Sequence, residues 1–269
     1  MLQDIIRIAQ SAGEAIMQVY QQDFAVQNKS DNTPVTAADI AANKLIESAL
    51  QKLTPDIPVL TEESGLTPWL ERQKWQRYWL VDPLDGTKEF VKRNGDFTVN
   101  IALIDHHFPV LGVVYAPARH ELWYAEQGAG AYHQHLTQPD QPPRRLHTRS
   151  APPANEPWLA LGSRSFHDKA VNAFLNHLGD HQLTPVGSAI KTCMIAAGEA
   201  HIYPRLGLTS EWDTAASQVI AEEAGALVIN AETGERLNYN TKDSLLNPWF
   251  IAVCAEDPRW RASLAASLA

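Results

Sequence analysis

The chain has 269 residues, 45% of them hydrophobic and 20% charged, the make-up of a globular protein large enough for one big α/β unit or for two domains. Its formal net charge of −9 argues against a nucleic-acid polymer as partner, because a polyanion calls for a basic face. A small anionic substrate stays open, since bound metal ions can reverse the sign of a local field.

No apolar run is long enough to span a bilayer. The first ten residues, MLQDIIRIAQ, carry Asp4 and Arg7 inside their apolar pattern and read as an amphipathic helix, not a signal peptide. The helical spacing of Ile5, Ile6, Ala9, Ala12, Ile16 and Val19 extends that helix over 2–22. The polar KSDNTPVTAAD that follows is loop-like, and Thr36 with Asp39 forms a capping box for the next helix, which ends near Thr54-Pro55. A short apolar strand leads into TEES, and WLV at 79–81 is another. FTVNIALID, VLGVVYAP and ELWYAEQGAGAYH alternate like successive antiparallel strands.

Residues 137–157, rich in Pro, Gln and Arg, mark the expected boundary between an N-terminal α+β half (1–140) and a C-terminal α/β half (141–269). Beyond them come a strand (WLALGS), a helix (HDKAVNAFLNHLG), a TPVGS segment, a helix (AIKTCMIAAGEA), a strand (HIYP), a helix (DTAASQVIAEEAG) and two strands (ALVIN, WFIAVC). Cys193 and Cys254 both lie in apolar surroundings and read as buried, inert thiols. Without a disulfide framework, the expected compartment is the cytoplasm.

The segment WLVDPLDGTKEF, 79–90, carries the chemistry. Asp82 and Asp85 arrive together at the end of a buried strand, with Pro83 between them and Gly86-Thr87 behind. Turn formation alone would account for such residues. Glu62 and Glu63 end the preceding strand, however, and Asp213 opens a helix in EWDTAA, where N-capping is its other explanation. Counted together, acids at element ends suit a hard cation such as Mg²⁺, which takes oxygen ligands that include backbone carbonyls. A helix starting at Gly86-Thr87 would aim free N–H groups at an anion beside that cation. The combination points to metal-assisted phosphate hydrolysis. It does not match the D-x-D of aspartyl-phosphate phosphatases, because two residues separate the acids, nor an EF-hand, which lacks the alternating acids here.

TEES, WLVDPLDGT and EWDTAA, in this order and spacing, resemble the inositol monophosphatase superfamily of Mg²⁺-dependent, lithium-sensitive phosphatases over nearly the whole chain. DGTKEF with VNIALID looks most like its CysQ-type 3'(2'),5'-bisphosphate nucleotidases, which release the 3'-phosphate of adenosine 3',5'-bisphosphate, a by-product of sulfate assimilation. The resemblance implies an α/β/α/β layered sandwich. It implies one Mg²⁺ on Glu62, Asp82 and the Leu84 carbonyl, a second on Asp82, Asp85 and Asp213, and a third, weakly held, near Glu62. It implies an attacking water oriented by Glu62 and Thr87, with Asp39 hydrogen-bonded to the Thr87 hydroxyl.

Inositol monophosphatases usually carry an acid about eight residues before the motif Asp; here that place is taken by Arg205, which would pair with a second phosphate where a carboxylate would repel it. Lys191 and Arg164 are further candidates for the 5'-phosphate or ribose, with Ser163 and Ser188 as hydroxyl donors, Gly86 at the cradle, and Lys88 as a third cation nearby. Inositol or sugar-phosphate hydrolysis on the same scaffold is the alternative enzyme, and a metal- or nucleotide-sensing binding protein the alternative class. The resemblance favours a monomer over a homodimer and allows peripheral association with the cytoplasmic face of the inner membrane.

Overall fold

The computed structural model describes residues 1–22, 26–28, 34–63, 67–138, 140–164 and 169–268. Two helices come first, α1 (Leu2–Tyr20) and α2 (Ala37–Leu53), with the short antiparallel strands β1 (Val26–Asn28) and β2 (Pro34–Thr36) between them. The segment expected to be loop thus contributes a small ribbon, while its residues 29–33 lie outside the described ones.

A seven-stranded sheet follows, ordered as in the chain: β3 (Val59–Thr61), β4 (Arg77–Asp85), β5 (Thr98–Asp105), β6 (Phe108–Ala116), β7 (Glu121–Glu126), β8 (Gly130–His135) and β9 (Arg144–Arg145). The β3–β4 pair is parallel and the others antiparallel. The short helices α3 (Trp69–Arg72) and α4 (Thr87–Val91) interrupt it. The Pro-rich stretch after residue 137 is not all linker, since β9 pairs with β8 and Leu146 is fully buried.

The smaller sheet has the order β11-β10-β12-β14-β13, built from β10 (Trp158–Gly162), β11 (His181–Pro185), β12 (Ile202–Arg205), β13 (Leu227–Asn230) and β14 (Phe250–Val253). TPVGS, read only as a short segment, holds the end of β11, an edge strand pairing in parallel with β10. Helices α5 (Lys169–Leu178), α6 (Ile190–Ala196), α7 (Glu211–Glu223) and α8 (Pro258–Leu268) complete the chain.

The period-two alternation of the strands sorts their side chains into separate cores. Trp79, Val81, Val99, Ile101 and Val113 join α1 and α2 on one face of the large sheet. Tyr78, Leu80, Ala102, Ile104 and Val114 meet α6 and α7 on the other face, together with Tyr203, Phe250 and Ala252 from the small sheet. Trp158, Ile202, Ile251 and Val253 pack on its far side against Phe174 and Leu175 of α5 and Trp260 of α8. The four expected layers are there, and α5 with α8 adds an outer helical layer.

Candidate active site

The site forms where β4 ends. In a regular strand, residues three apart point to opposite faces, which would separate Asp82 from Asp85. Here Asp82 pairs with Asn100 and Asp85 with Thr98, so three steps on β4 match two on β5. This bulge returns both carboxylates to one face and re-aims them, a common use of bulges beside active sites. The strand therefore runs through Pro83 and Leu84 to Asp85, where the sequence had suggested a turn. A proline is tolerated at such an irregular ladder position.

Asp213 comes from the first turn of α7. Ser210 is the actual N-cap of that helix, and Asp213 sits three residues on, where its Oδ2 accepts the Ser210 N–H at 2.8 Å. Carboxylate oxygens of Asp82, Asp85 and Asp213 lie within 4.8 Å of one another. Asp82 is 1% exposed, and burial, followed by the charges of Glu62, Asp85 and Asp213, drives its carboxyl well above the usual range. Burial and the Asp85 charge push Asp213 up to about 8. Asp85 is raised less, because Lys191 and the Ala189 N–H, 2.6 Å from its Oδ2, offset its burial. Acids crowded at such a cost in repulsion have the donor set of a hard-cation site: three carboxylates with neither His nor Cys.

Asp39, at the third position of α2, is 2% exposed and divides its carboxylate. Its Oδ2 accepts the Thr36 N–H and hydroxyl, each at 2.7 Å, completing the capping box, while Oδ1 accepts the Thr87 hydroxyl at 3.4 Å. The second contact is long for a hydrogen bond. Burial pushes Asp39 up to about 6 against the opposing Thr36 bonds. The Thr87 hydroxyl also faces the Leu84 carbonyl at 3.4 Å. Glu62 and Glu63, half-buried, follow β3. Glu62 is close enough to raise both Asp82 and Asp213 electrostatically.

Gly86 has φ +91 and caps the five-residue α4. A Cβ there would lie 2.9 Å from the Asp96 carbonyl oxygen, so its openness is already used by packing. A cavity of about 140 Å³ is lined by Asp85, Gly86, Lys88, Ser163, Ser188, Lys191, Arg205 and Asp213, which brings most of the sequence-predicted residues together. Arg164 is not among its lining residues. It borders a neighbouring cavity of about 360 Å³ that shares Ser163, Tyr203 and Arg205 with the first.

Lys191 is 5% exposed and donates to the carbonyls of Ser188 at 2.7 Å and Val186 at 3.2 Å, with its ammonium 5.1 Å from the Tyr203 ring centroid. Burial lowers it to about 8, Asp85 opposing, so it is a cation at neutral pH. Arg205 donates to the Leu208 carbonyl at 2.7 Å.

Sequence reasoning missed Tyr203, Glu89 and Asp96. Tyr203 and Glu89 line the first cavity, and Asp96 lies beneath Gly86. Asp96 lay in NGDF, indistinguishable there from an ordinary turn. Both cysteines are buried, and burial raises both thiols, as inert packing residues require.

An inositol monophosphatase family model matches residues 1–267, and the chain belongs to that family. Its members are Mg²⁺-dependent, in keeping with the acidic cluster found here. A protein of Escherichia coli (strain K12) named 3'(2'),5'-bisphosphate nucleotidase CysQ is 48% identical over 252 residues, 93% of this chain and 98% of its own. A protein of the same name from Haemophilus influenzae is 34% identical over 264 residues, 97% of this chain and 96% of its own. The crystal structure of CysQ from Bacteroides thetaiotaomicron has a TM-score of 0.81 at 39% identity, covering 95% of this chain and 97% of that one. Among the described residues no helix is long and apolar enough to cross a membrane.

Proposed function

We propose that the chain is a Mg²⁺-dependent 3'(2'),5'-bisphosphate nucleotidase that hydrolyses the 3'-phosphate of adenosine 3',5'-bisphosphate, and of its sulfated form, to support sulfate assimilation. The observation that carries this reading is a single cavity with the acids Asp85 and Asp213 and the cations Lys191 and Arg205 in its lining, a layout suited to a substrate with two phosphates.

Glu62, Asp82 and the Leu84 carbonyl would hold one Mg²⁺; Asp82, Asp85 and Asp213 would hold a second, and a third would sit near Glu62. Bound Mg²⁺ supplies charge neutralisation for the attacking and leaving oxygens of an in-line displacement. Thr87 directs its proton to Asp39, which leaves its oxygen lone pairs to accept from the attacking water. Glu62 takes that water's other hydrogen, so the two residues fix its line of approach. Asp39, ionised above about pH 6, is able to receive a proton through Thr87. On the other side, Arg205 pairs with the non-reacting phosphate, and the Lys191 ammonium holds the loop it braces while adding positive field.

Phosphate release with Mg²⁺ from adenosine 3',5'-bisphosphate and from inositol 1-phosphate at equal concentration tests the assignment. Preference for the nucleotide is expected. Preference for inositol phosphate would keep the metal chemistry and overturn the substrate, and binding of both with turnover of neither would make the protein a sensor.

A further inference from the structure

Asp96 is 1% exposed and lies just before β5. Its carboxylate collects three donors from separate parts of the chain. Oδ2 accepts Arg164 Nε at 2.6 Å and the Gly187 N–H at 3.0 Å, and Oδ1 accepts Arg119. Burial would raise this carboxyl, but Arg164, Arg119 and Gly187 together hold it below the usual range. Gly187 is shaped to the contact, because a Cβ there would come within 2.6 Å of the Asp96 Cβ.

Two consequences follow for the cavity walls. The first concerns the loop at 186–189. Its alternate N–H groups, Gly187 and Ala189, are held by Asp96 and by Asp85 of the acidic cluster. The second concerns Arg164, which is 42% exposed and held through Nε, with no bond from its terminal nitrogens to any described residue. A guanidinium pinned at Nε keeps its other N–H edges in a fixed plane, ready for an anion.

We propose that Asp96 is a positioning residue for recognition of the non-reacting phosphate, presenting the guanidinium of Arg164 in the neighbouring cavity, next to the wall of Ser163, Tyr203 and Arg205 that the two cavities share. This rests on the nucleotidase reading above. It assigns Asp96 a part in substrate selection and none in the chemical step.

The test uses the Mg²⁺-loaded enzyme with adenosine 3',5'-bisphosphate and with adenosine 3'-monophosphate, which lacks the second phosphate. Arg164 Nε and the Gly187 N–H share Oδ2, so Asp96→Asn with its oxygen on that side keeps a neutral acceptor for both and loses the charge that fixes Arg164. It should raise KM for the bisphosphate about tenfold, the scale of one charge-assisted bond, with kcat held within about twofold and the monophosphate parameters unchanged. Arg164→Met should raise the bisphosphate KM less in the Asp96→Asn background than in wild type, because the two changes act through the same interaction. Arg119→Met removes the other partner of the same carboxylate and should leave both KM values alone. Arg164→Lys, at an exposed position, carries the test if Asp96→Asn folds poorly, and should show the same selective rise in KM. Equal effects on both substrates, an unchanged bisphosphate KM, or the same loss from Arg119→Met would overturn the proposal. A wild-type enzyme that treats both nucleotides alike would overturn the two-phosphate reading and this inference with it.

Discussion

The acidic and the cationic walls of the site are built differently. The acidic wall is local in origin: Asp82 and Asp85 come from one bulged strand, and Asp39 and Asp213 occupy the same place in two capping boxes. Each of these acids has a structural task that would fix it with no ligand present. The cationic wall has two locally braced members and one long-range one. Lys191 is oriented by carbonyls three and five residues before it, Arg205 by the Leu208 carbonyl, and Arg164 by an aspartate 68 positions away. One wall stores repulsion and the other discharges it. The acidic wall awaits a cation, whereas the cations opposite are already partly engaged and can discriminate among anions.

The largest effect should come from breaking the acidic wall. Asp82→Asn keeps the acceptor for the Leu84 N–H and removes one charge. Activity should fall about 10³-fold, the kinetic equivalent of several kcal/mol of lost transition-state charge stabilisation. The same variant should melt higher than wild type in EDTA at neutral pH. A carboxyl raised well above its ordinary pKa costs the fold stability at neutral pH, because burial and its acidic neighbours disfavour the charge that it carries freely when unfolded, and Asn removes that cost. Added Mg²⁺ should reverse the order of the two Tm values. A wild-type protein that melts higher than Asp82→Asn in EDTA would show that the cluster stores no repulsion.

Asp39→Asn should lower kcat by about 10²–10⁴, the usual range for proton transfer assistance. Its stability should change little, a weakened cap of about 1 kcal/mol being set against relief of the burial that raises the Asp39 carboxyl. Unchanged turnover in this variant would remove Thr87 and Asp39 from the water-orienting role.

The smallest effect lies away from both walls. His201 is 3% exposed, accepts the Leu159 N–H on Nδ1 at 2.8 Å and stands edge-on to Trp158. Burial lowers it from 6.5 to about 4, with Arg149 and Arg259 adding to the shift. A lowered folded-state pKa means that its contribution is complete above pH 6.5 and is lost as pH falls towards 4. Tm should drop less steeply across that interval in His201→Gln than in wild type, while activity at neutral pH stays unchanged. Parallel Tm profiles would show that His201 does not titrate differently on folding.

The difference between the walls also explains what could be read in advance. The acids stood in short motifs whose spacing carried their geometry, so Asp39, Asp82, Asp85 and Asp213 were all legible, as were the strands and long helices whose periodicity was strong. Three details were not. The bulge lies in the pairing of β4 with β5, and no single segment encodes a pairing. Asp96 acts on Arg164 and Gly187, which come near it only when the small sheet packs against the large one through α6 and α7. Strand β11 escaped notice because its Gln182, Leu183 and Thr184 are exposed at a sheet edge and lack an alternating pattern.

A cationic wall that selects for a second phosphate should lose that selection in Arg205→Glu, which makes the selectivity of this variant the most direct test. The quantity to measure is kcat/KM for adenosine 3',5'-bisphosphate divided by that for inositol 1-phosphate, in wild type and variant with saturating Mg²⁺. This ratio should fall about 10–100-fold, the worth of a hydrogen-bonded charge pair, with activity on inositol 1-phosphate retained. An unchanged ratio, or equal loss on both substrates, would contradict that selection.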